Sequence, residues 1–252
     1  MRYYSMILLL VAFAFAGCER EPRDVPREYQ NATPGHESRQ LTQIVQNPTP
    51  PAFVWPGNPS SIDAVFSGDE MYARSFLVVL DVSGSMRGDK LEEAKAALRV
   101  FFKAMKPNDY VGLLLFSTEN YLAVPLDRVD RVEAEFLRKV DAAREGGSTY
   151  LKNAVKSGYT ELTRLGQLQL GYGNYTLVIV TDGAADNGQD PKKDILFMIE
   201  NTPIQIYTIG FQIGSRHSLN MPGKTTYVEA NNLGELTEGL KGVLAESLDM
   251  FQ

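Results

Sequence analysis

The sequence predicts an α/β fold, with a mainly parallel central sheet, helices on both faces and a short edge strand. Two observations carry the expectation. From residue 75 onward, apolar runs of strand length alternate with helical patterns. The runs are continuous rather than alternating polar and apolar, the mark of strands covered on both sides. A third concerns the edge: the short run Tyr121 to Val124 is closed by Pro125, which has no N–H to give to a ladder.

Taken in order, Ser75 to Leu80 reads as the first buried strand. Lys90 to Met105 places Leu91, Ala94, Leu98, Phe101, Phe102 and Met105 on one helical face, and Pro107 follows it. Tyr110 to Phe116 is the second strand and Tyr121 to Val124 the edge. Val129 to Ala143 and Leu151 to Leu165 read as helices, with Thr149 or Tyr150 near the cap of the second. Tyr175 to Val180 and Gln205 to Gly210 are further strands, separated by a helix over Lys192 to Glu200. Thr226 to Val228 is a short strand, and Leu233 to Leu248 a last amphipathic helix weakened by Gly234, Gly239 and Gly242.

In open parallel sheets the ligand crevice lies beyond the carboxyl ends of the strands, where strand order reverses. Asp81 and Asp182 each directly follow an apolar run, so both carboxylates are expected at one crevice. Asp81, Ser83 and Ser85 stand at i, i+2 and i+4 on a turn with Gly84 between the serines. Such hard oxygens converge on a small divalent cation. Gly146-Gly147-Ser148-Thr149 offers a further hydroxyl, and Thr181-Asp182-Gly183 a further carboxylate. Each residue also has an ordinary role: Asp81 and Ser83 as turn formers, Thr149 as a helix cap, Asp182-Gly183 as a turn pair. Those roles do not explain why every donor is a hard oxygen on one sheet edge.

Read together, the residues spell D-x-S-x-S … T … D, which resembles the metal-ion-dependent adhesion site of the von Willebrand factor A family over roughly residues 74 to 248. The resemblance implies a Rossmann-like fold and assigns the five metal positions to Asp81, Ser83, Ser85, Thr149 and Asp182. Thr149 is taken over Ser148 by its distance from Ala154, the small residue of the next helix. The ligand set suits Mg²⁺ or Mn²⁺, admits Ca²⁺, and disfavours copper and zinc. The resemblance also implies a protein partner presenting Asp or Glu to complete the metal shell. The alternative is a structural scaffold subunit of an envelope complex whose metal only props the loops.

The chain opens with Arg2, an apolar segment Met6 to Ala16, and Ala16-Gly17-Cys18. That segment is shorter than the about 20 residues a membrane-spanning helix needs. The lone cysteine after small residues resembles a bacterial lipobox, although Phe15 stands where Leu is usual. This implies a signal peptide over 1–17, lipidation at Cys18, and attachment to the bacterial envelope, on the periplasmic face of the outer membrane or the cell surface. Glu19 in place of Asp is the residue that suggests outer-membrane sorting in enteric bacteria. Residues 18–62 form a proline-rich tether, holding eight of the thirteen prolines between Pro22 and Pro59. A coil of that length spans about 40 Å end to end. Within it, Phe53, Val54 and Trp55 are expected to fold back onto the domain, which occupies 63–252.

Losing Arg2 with the signal moves the formal charge from −6 to −7. An acidic exported domain is a poor nucleic-acid binder, and no nucleic-acid partner is expected. Catalysis also lacks its parts. The two histidines are His36, in the tether, and His217, expected to be a solvated loop residue. No G-x-S-x-G elbow or phosphate-binding G-x-x-x-x-G-K-[ST] loop is present. A metal-dependent phosphatase led by Asp81 is a remote alternative, since its pattern wants a second Asp where Ser83 stands.

Overall fold

The computed structural model describes residues 55–57, 66 and 68–247, all within one compact unit, Thr49–Gln252. The signal segment, Cys18 and most of the tether lie outside the described residues. A six-stranded sheet runs in the order β3-β2-β1-β4-β5-β6. Its strands are β1 (Arg74–Asp81), β2 (Tyr110–Phe116), β3 (Asn120–Arg128), β4 (Asn174–Thr181), β5 (Gln205–Phe211) and β6 (Thr226–Ala230). Only β3 is antiparallel to its neighbour. The helices are α1 (Asp89–Lys103), α2 (Val129–Ala142), α3 (Leu151–Leu168), α4 (Lys192–Asn201) and α5 (Leu233–Glu246).

The strand pleat sorts the core. Phe76, Val78 and Leu80 of β1 point to one face, where they pack with Phe101, Phe136 and Leu240 of α1, α2 and α5. Leu77 and Val79 point to the other, against Val155 of α3 and Ile195 of α4. Both faces of β1 are therefore dry, which is why its sequence reads as an unbroken apolar run. Burying each such side chain contributes about 1.5–3 kcal/mol.

The edge strand is longer than expected. β3 continues through Pro125 to Arg128, because two register shifts along β2 absorb its extra residues. Pro125 sits in the first of these bulges, where its missing N–H costs no ladder bond. The next N–H, from Leu126, donates to Glu161 Oε1 of α3 at 2.8 Å.

Trp55 folds back as expected, edge-on to Tyr175 with ring centroids 5.3 Å apart. Phe53 and Val54 lie outside the described residues. In α5 two glycines have a packing role, and a Cβ at Gly242 would stand 3.1 Å from the Tyr207 hydroxyl. A Cβ at Gly239 would stand 3.3 Å from Val228 and 3.4 Å from Ile209, so its absence lets the helix settle onto β5 and β6. Asn232 starts α5 by accepting a bond from the Glu235 N–H at 3.0 Å, and the Glu235 carboxylate in turn accepts the Asn231 N–H at 2.8 Å.

Candidate metal centre

β1 and β4 are neighbours in the sheet, and the chain order reverses between them. From β1 the chain winds outward to β2 and β3, then returns to β4 and winds the other way. Asp81 is the last residue of β1, and Asp182 follows the last residue of β4. Both carboxylates thus stand at the switch-point crevice that the strand pattern predicts. The Asp81 turn is stapled from two sides. Val82 N–H donates to Phe116 O at 2.9 Å, Gly146 N–H to Val82 O at 2.8 Å, and Gly84 N–H to Gly147 O at 3.0 Å.

The five sequence-predicted donors come together at this point. Ser83 Oγ lies 3.0 Å from Ser85 Oγ, and Ser85 Oγ donates to Asp182 Oδ1 at 2.6 Å. A Cβ built on Gly183 would lie 3.6 Å from Ser85 Oγ and 3.7 Å from Thr149 Oγ1, which brings the Thr149 hydroxyl beside the same cluster. Thr149 is set by a reciprocal pair of bonds: its N–H donates to Asp186 Oδ2 at 3.1 Å, and the Asp186 N–H to Thr149 O at 3.2 Å. The cap of α3 is Tyr150, with no side-chain capping bond, so the Thr149 hydroxyl is not consumed by the helix end. Asp81, Ser83, Thr149 and Asp182 are buried, and Ser85 is exposed. The cluster is closed below and open on the Ser85 side.

Asp81 accepts from Ser83 N–H at 2.8 Å and from Thr181 Oγ1 at 2.6 Å, and the Ser83 hydroxyl also bonds to it. Burial nevertheless pushes its carboxyl above the ordinary value, and the nearby Asp182 charge adds to the rise. Asp182 has a cation beside it: Lys90 Nζ stands 2.5 Å from Oδ2.

The donor chemistry fits a hard divalent ion. Among the described residues no three His, Cys, Asp or Glu side chains gather to hold a metal. The centre would therefore combine two carboxylates with three hydroxyls, each keeping lone pairs after donating its proton. Oxygen-only sets of this kind take Mg²⁺, Mn²⁺ or Ca²⁺.

Sequence reasoning missed the supports of this cluster: Lys90, Thr181, Asp186 and His217. His217 is not a solvated loop residue. It is 8% exposed, stacks on Tyr227 with centroids 6.0 Å apart, and accepts the Leu219 N–H on Nδ1 at 3.1 Å. That leaves Nε2 to carry the proton, which it donates to Gly183 O at 2.9 Å, clamping the loop that carries Asp182. A polar stretch from Gly214 to Asn220 gave no hint of this, because the partner is distant in sequence.

Burial lowers the His217 pKa below its ordinary 6.5, with the Gly183 bond and Asp190 opposing. The neutral ring is the native form, so its contribution is complete above about pH 6.5 and is lost as pH falls from there toward the lowered folded value. Thermal unfolding in chelator should show wild type losing stability relative to His217→Gln between about pH 7 and pH 5. Parallel pH profiles for the two proteins would remove His217 from this role.

A model of the von Willebrand factor type A domain matches residues 77–238. Inter-alpha-trypsin inhibitor heavy chain H3 of Bos taurus is 29% identical over 147 residues, covering 55% of this chain and 16% of that protein. Heavy chain H1 of Sus scrofa is 29% identical over 150 residues, with the same shares. The chain thus spans about a sixth of the length of these relatives. Among solved structures, the conserved hypothetical protein BatB from Bacteroides thetaiotaomicron superposes with a TM-score of 0.56 at 16% identity, over 70% of this chain and 99% of that one. An aerotolerance-related membrane protein from Bacteroides fragilis gives 0.53 at 18% identity, over 71% and 100%. The matched stretch runs from β1 into α5 and takes in both carboxylates of the crevice; the chain belongs to the von Willebrand factor type A domain family.

Proposed function

We propose that this chain is an envelope-anchored protein-binding domain that grips an acidic side chain of its partner through a divalent cation. Domains of this family are protein-interaction modules and generally not enzymes. The cation, Mg²⁺ or Mn²⁺ with Ca²⁺ admitted, is held by Asp81, Ser83, Ser85, Thr149 and Asp182. It supplies a point of positive charge for a carboxylate that arrives from the exposed Ser85 side.

The convergence of five oxygen donors from three separate loops on the switch-point crevice is the observation that carries this reading. A site open to solvent on its Ser85 side also suits a protein ligand better than a small molecule, which favours an enclosing cavity. A cleft of about 520 Å³ opens at the starts of β5 and β6, and none of the five donors lines it. The anchor is the lipid on Cys18, after removal of residues 1–17. The von Willebrand factor domain of the type V pili tip protein Mfa5 of Porphyromonas gingivalis shares the fold, with a TM-score of 0.54 at 12% identity, over 72% of this chain and 97% of that one. That likeness bears on fold alone, and the envelope placement rests on Cys18 and the segment before it.

The test is a pull-down from the source cell's envelope fraction with the tagged full chain in mild detergent. Wild type and Asp81→Ala are each compared with Mg²⁺ and with chelator, after both are shown to be folded. A partner retained only by wild type with metal is the expected result. Equal retention in all four conditions would move the interface off the crevice and favour the scaffold role. In the same cells Cys18→Ser should shift the protein out of the membrane fraction, and an unchanged distribution would remove the anchor.

A further inference from the structure

Lys90 is the second residue of α1, and its ammonium reaches into the metal centre. Nζ is 2.5 Å from Asp182 Oδ2, while the other oxygen of the same carboxylate accepts from Ser85 Oγ. The Asp182 side chain is fully buried and that of Lys90 is 29% exposed. Helix electrostatics do not account for a cation there. The N-terminal turn carries positive partial charge and favours acids, which α1 supplies with Asp89 and Glu92. A lysine in that turn opposes the dipole, and its charge is met by Asp182 from across the crevice.

We infer that Lys90 is a tethered cation that neutralises Asp182 in the metal-free chain and competes with the divalent ion for it. The inference rests on the metal-centre reading proposed above. If the lysine stays, ammonium and divalent cation repel on the same carboxylate, and if it leaves, its ion pair with Asp182 is lost. By reciprocity, whatever the metal does to the Lys90 pair, the pair does to the metal. The five donors alone would then bind more tightly than the chain does, and Lys90 sets the affinity. Its partly exposed, flexible stem lets the ammonium swing to water when a metal enters.

Calorimetric titration of Mg²⁺ and Mn²⁺ into the full chain in detergent tests this, with thermal unfolding in chelator as a second readout. Lys90→Met should bind about tenfold tighter than wild type and melt lower in chelator, because Asp182 then lies buried without a countercharge. Lys90→Arg, which keeps the charge, should bind as wild type does. Lys90→Gln serves if the Met variant does not fold. Measurable but unchanged or weaker binding by the uncharged variants overturns the Lys90 inference alone. Failure of wild type and every variant to take up either ion overturns the metal centre, and this inference with it. Uptake by Lys90→Met where wild type shows none supports both.

Discussion

Replacing Asp81 with Asn should weaken Mg²⁺ and Mn²⁺ binding by more than about 100-fold while making the metal-free protein more stable. The two effects have one cause. Asp81 is a carboxylate with no exposed surface, beside a second carboxylate, and its pKa is raised by burial. The charge that a cation needs is a cost when the cation is absent. Asn fits the same space and bonds. Its Oδ1 can accept the Ser83 N–H, and its amide can donate to Thr181 Oγ1, whose own proton then goes to Gly183 O, 3.2 Å away.

Relief of the buried charge should raise stability in chelator by about 1–2 kcal/mol, a rise in Tm of about 2–8 °C. The pH dependence has a definite sign. The folded pKa lies above the ordinary 3.8, so the native state holds the proton more tightly than the unfolded chain. The cost is full above the folded pKa and relieved as pH falls through it, so the advantage of Asn is greatest near neutrality and fades in acid. An Asn variant that melts below wild type in chelator at neutral pH would show that the Asp81 charge is not a burden. Undiminished metal uptake by the variant would remove Asp81 from the centre.

The largest loss of stability is expected at the opposite end of the same strand. Arg74 places Nε 2.9 Å from Asp109 Oδ1 and Nη2 2.5 Å from Oδ2, while Nη1 donates to Leu244 O and Ser247 Oγ, both at 3.1 Å. The side chains are 11% and 4% exposed, and the guanidinium lies over Phe76 at 5.4 Å. One residue therefore joins the start of β1, the loop before β2 and the end of α5. Arg74→Ala leaves the Asp109 charge buried, with only the Lys106 N–H, at 2.8 Å, still donating to it. Breaking such a pair costs about 3–5 kcal/mol, a fall in Tm of about 10 °C. Lys at this position should recover only part, since one ammonium cannot span a carboxylate and a helix end. The double change Arg74→Met with Asp109→Leu should be far milder than Arg74→Ala, because no charge is left unpaired. A loss under about 1 kcal/mol for Arg74→Ala would mean the pair behaves as a surface bridge.

Most of the architecture was legible because it is a matter of continuous apolar runs. β1, β2, β4 and β5 fall within a residue or two of their expected bounds, as strands dry on both faces must. The length of β3 was not legible. Pro125 reads as a stop, and only the bulges opposite β2 make it harmless. The convergence of Asp81 with Asp182 followed from the switch-point rule, which needs strand order and no side-chain detail. Lys90 and His217 were hidden for a common reason: their partners lie 92 and 34 positions away, and nothing local marks a lysine in a first helical turn or a histidine in a polar loop as pinned.

β1 runs from Arg74 to Asp81, with the crevice at one end and the Arg74 clamp on α5 at the other. It is hydrogen-bonded along its length on both sides, to β2 from Ser75 to Asp81 and to β4 from Arg74 to Leu80. A pull applied at Asp81 and resisted at Arg74 therefore acts lengthwise on a central strand. The covalent backbone of β1 carries that load, and sliding the strand out would shear its rungs on both sides together, whereas an edge strand peeled sideways gives up one rung at a time. The path between the crevice and the Arg74 clamp is thus a tensile member.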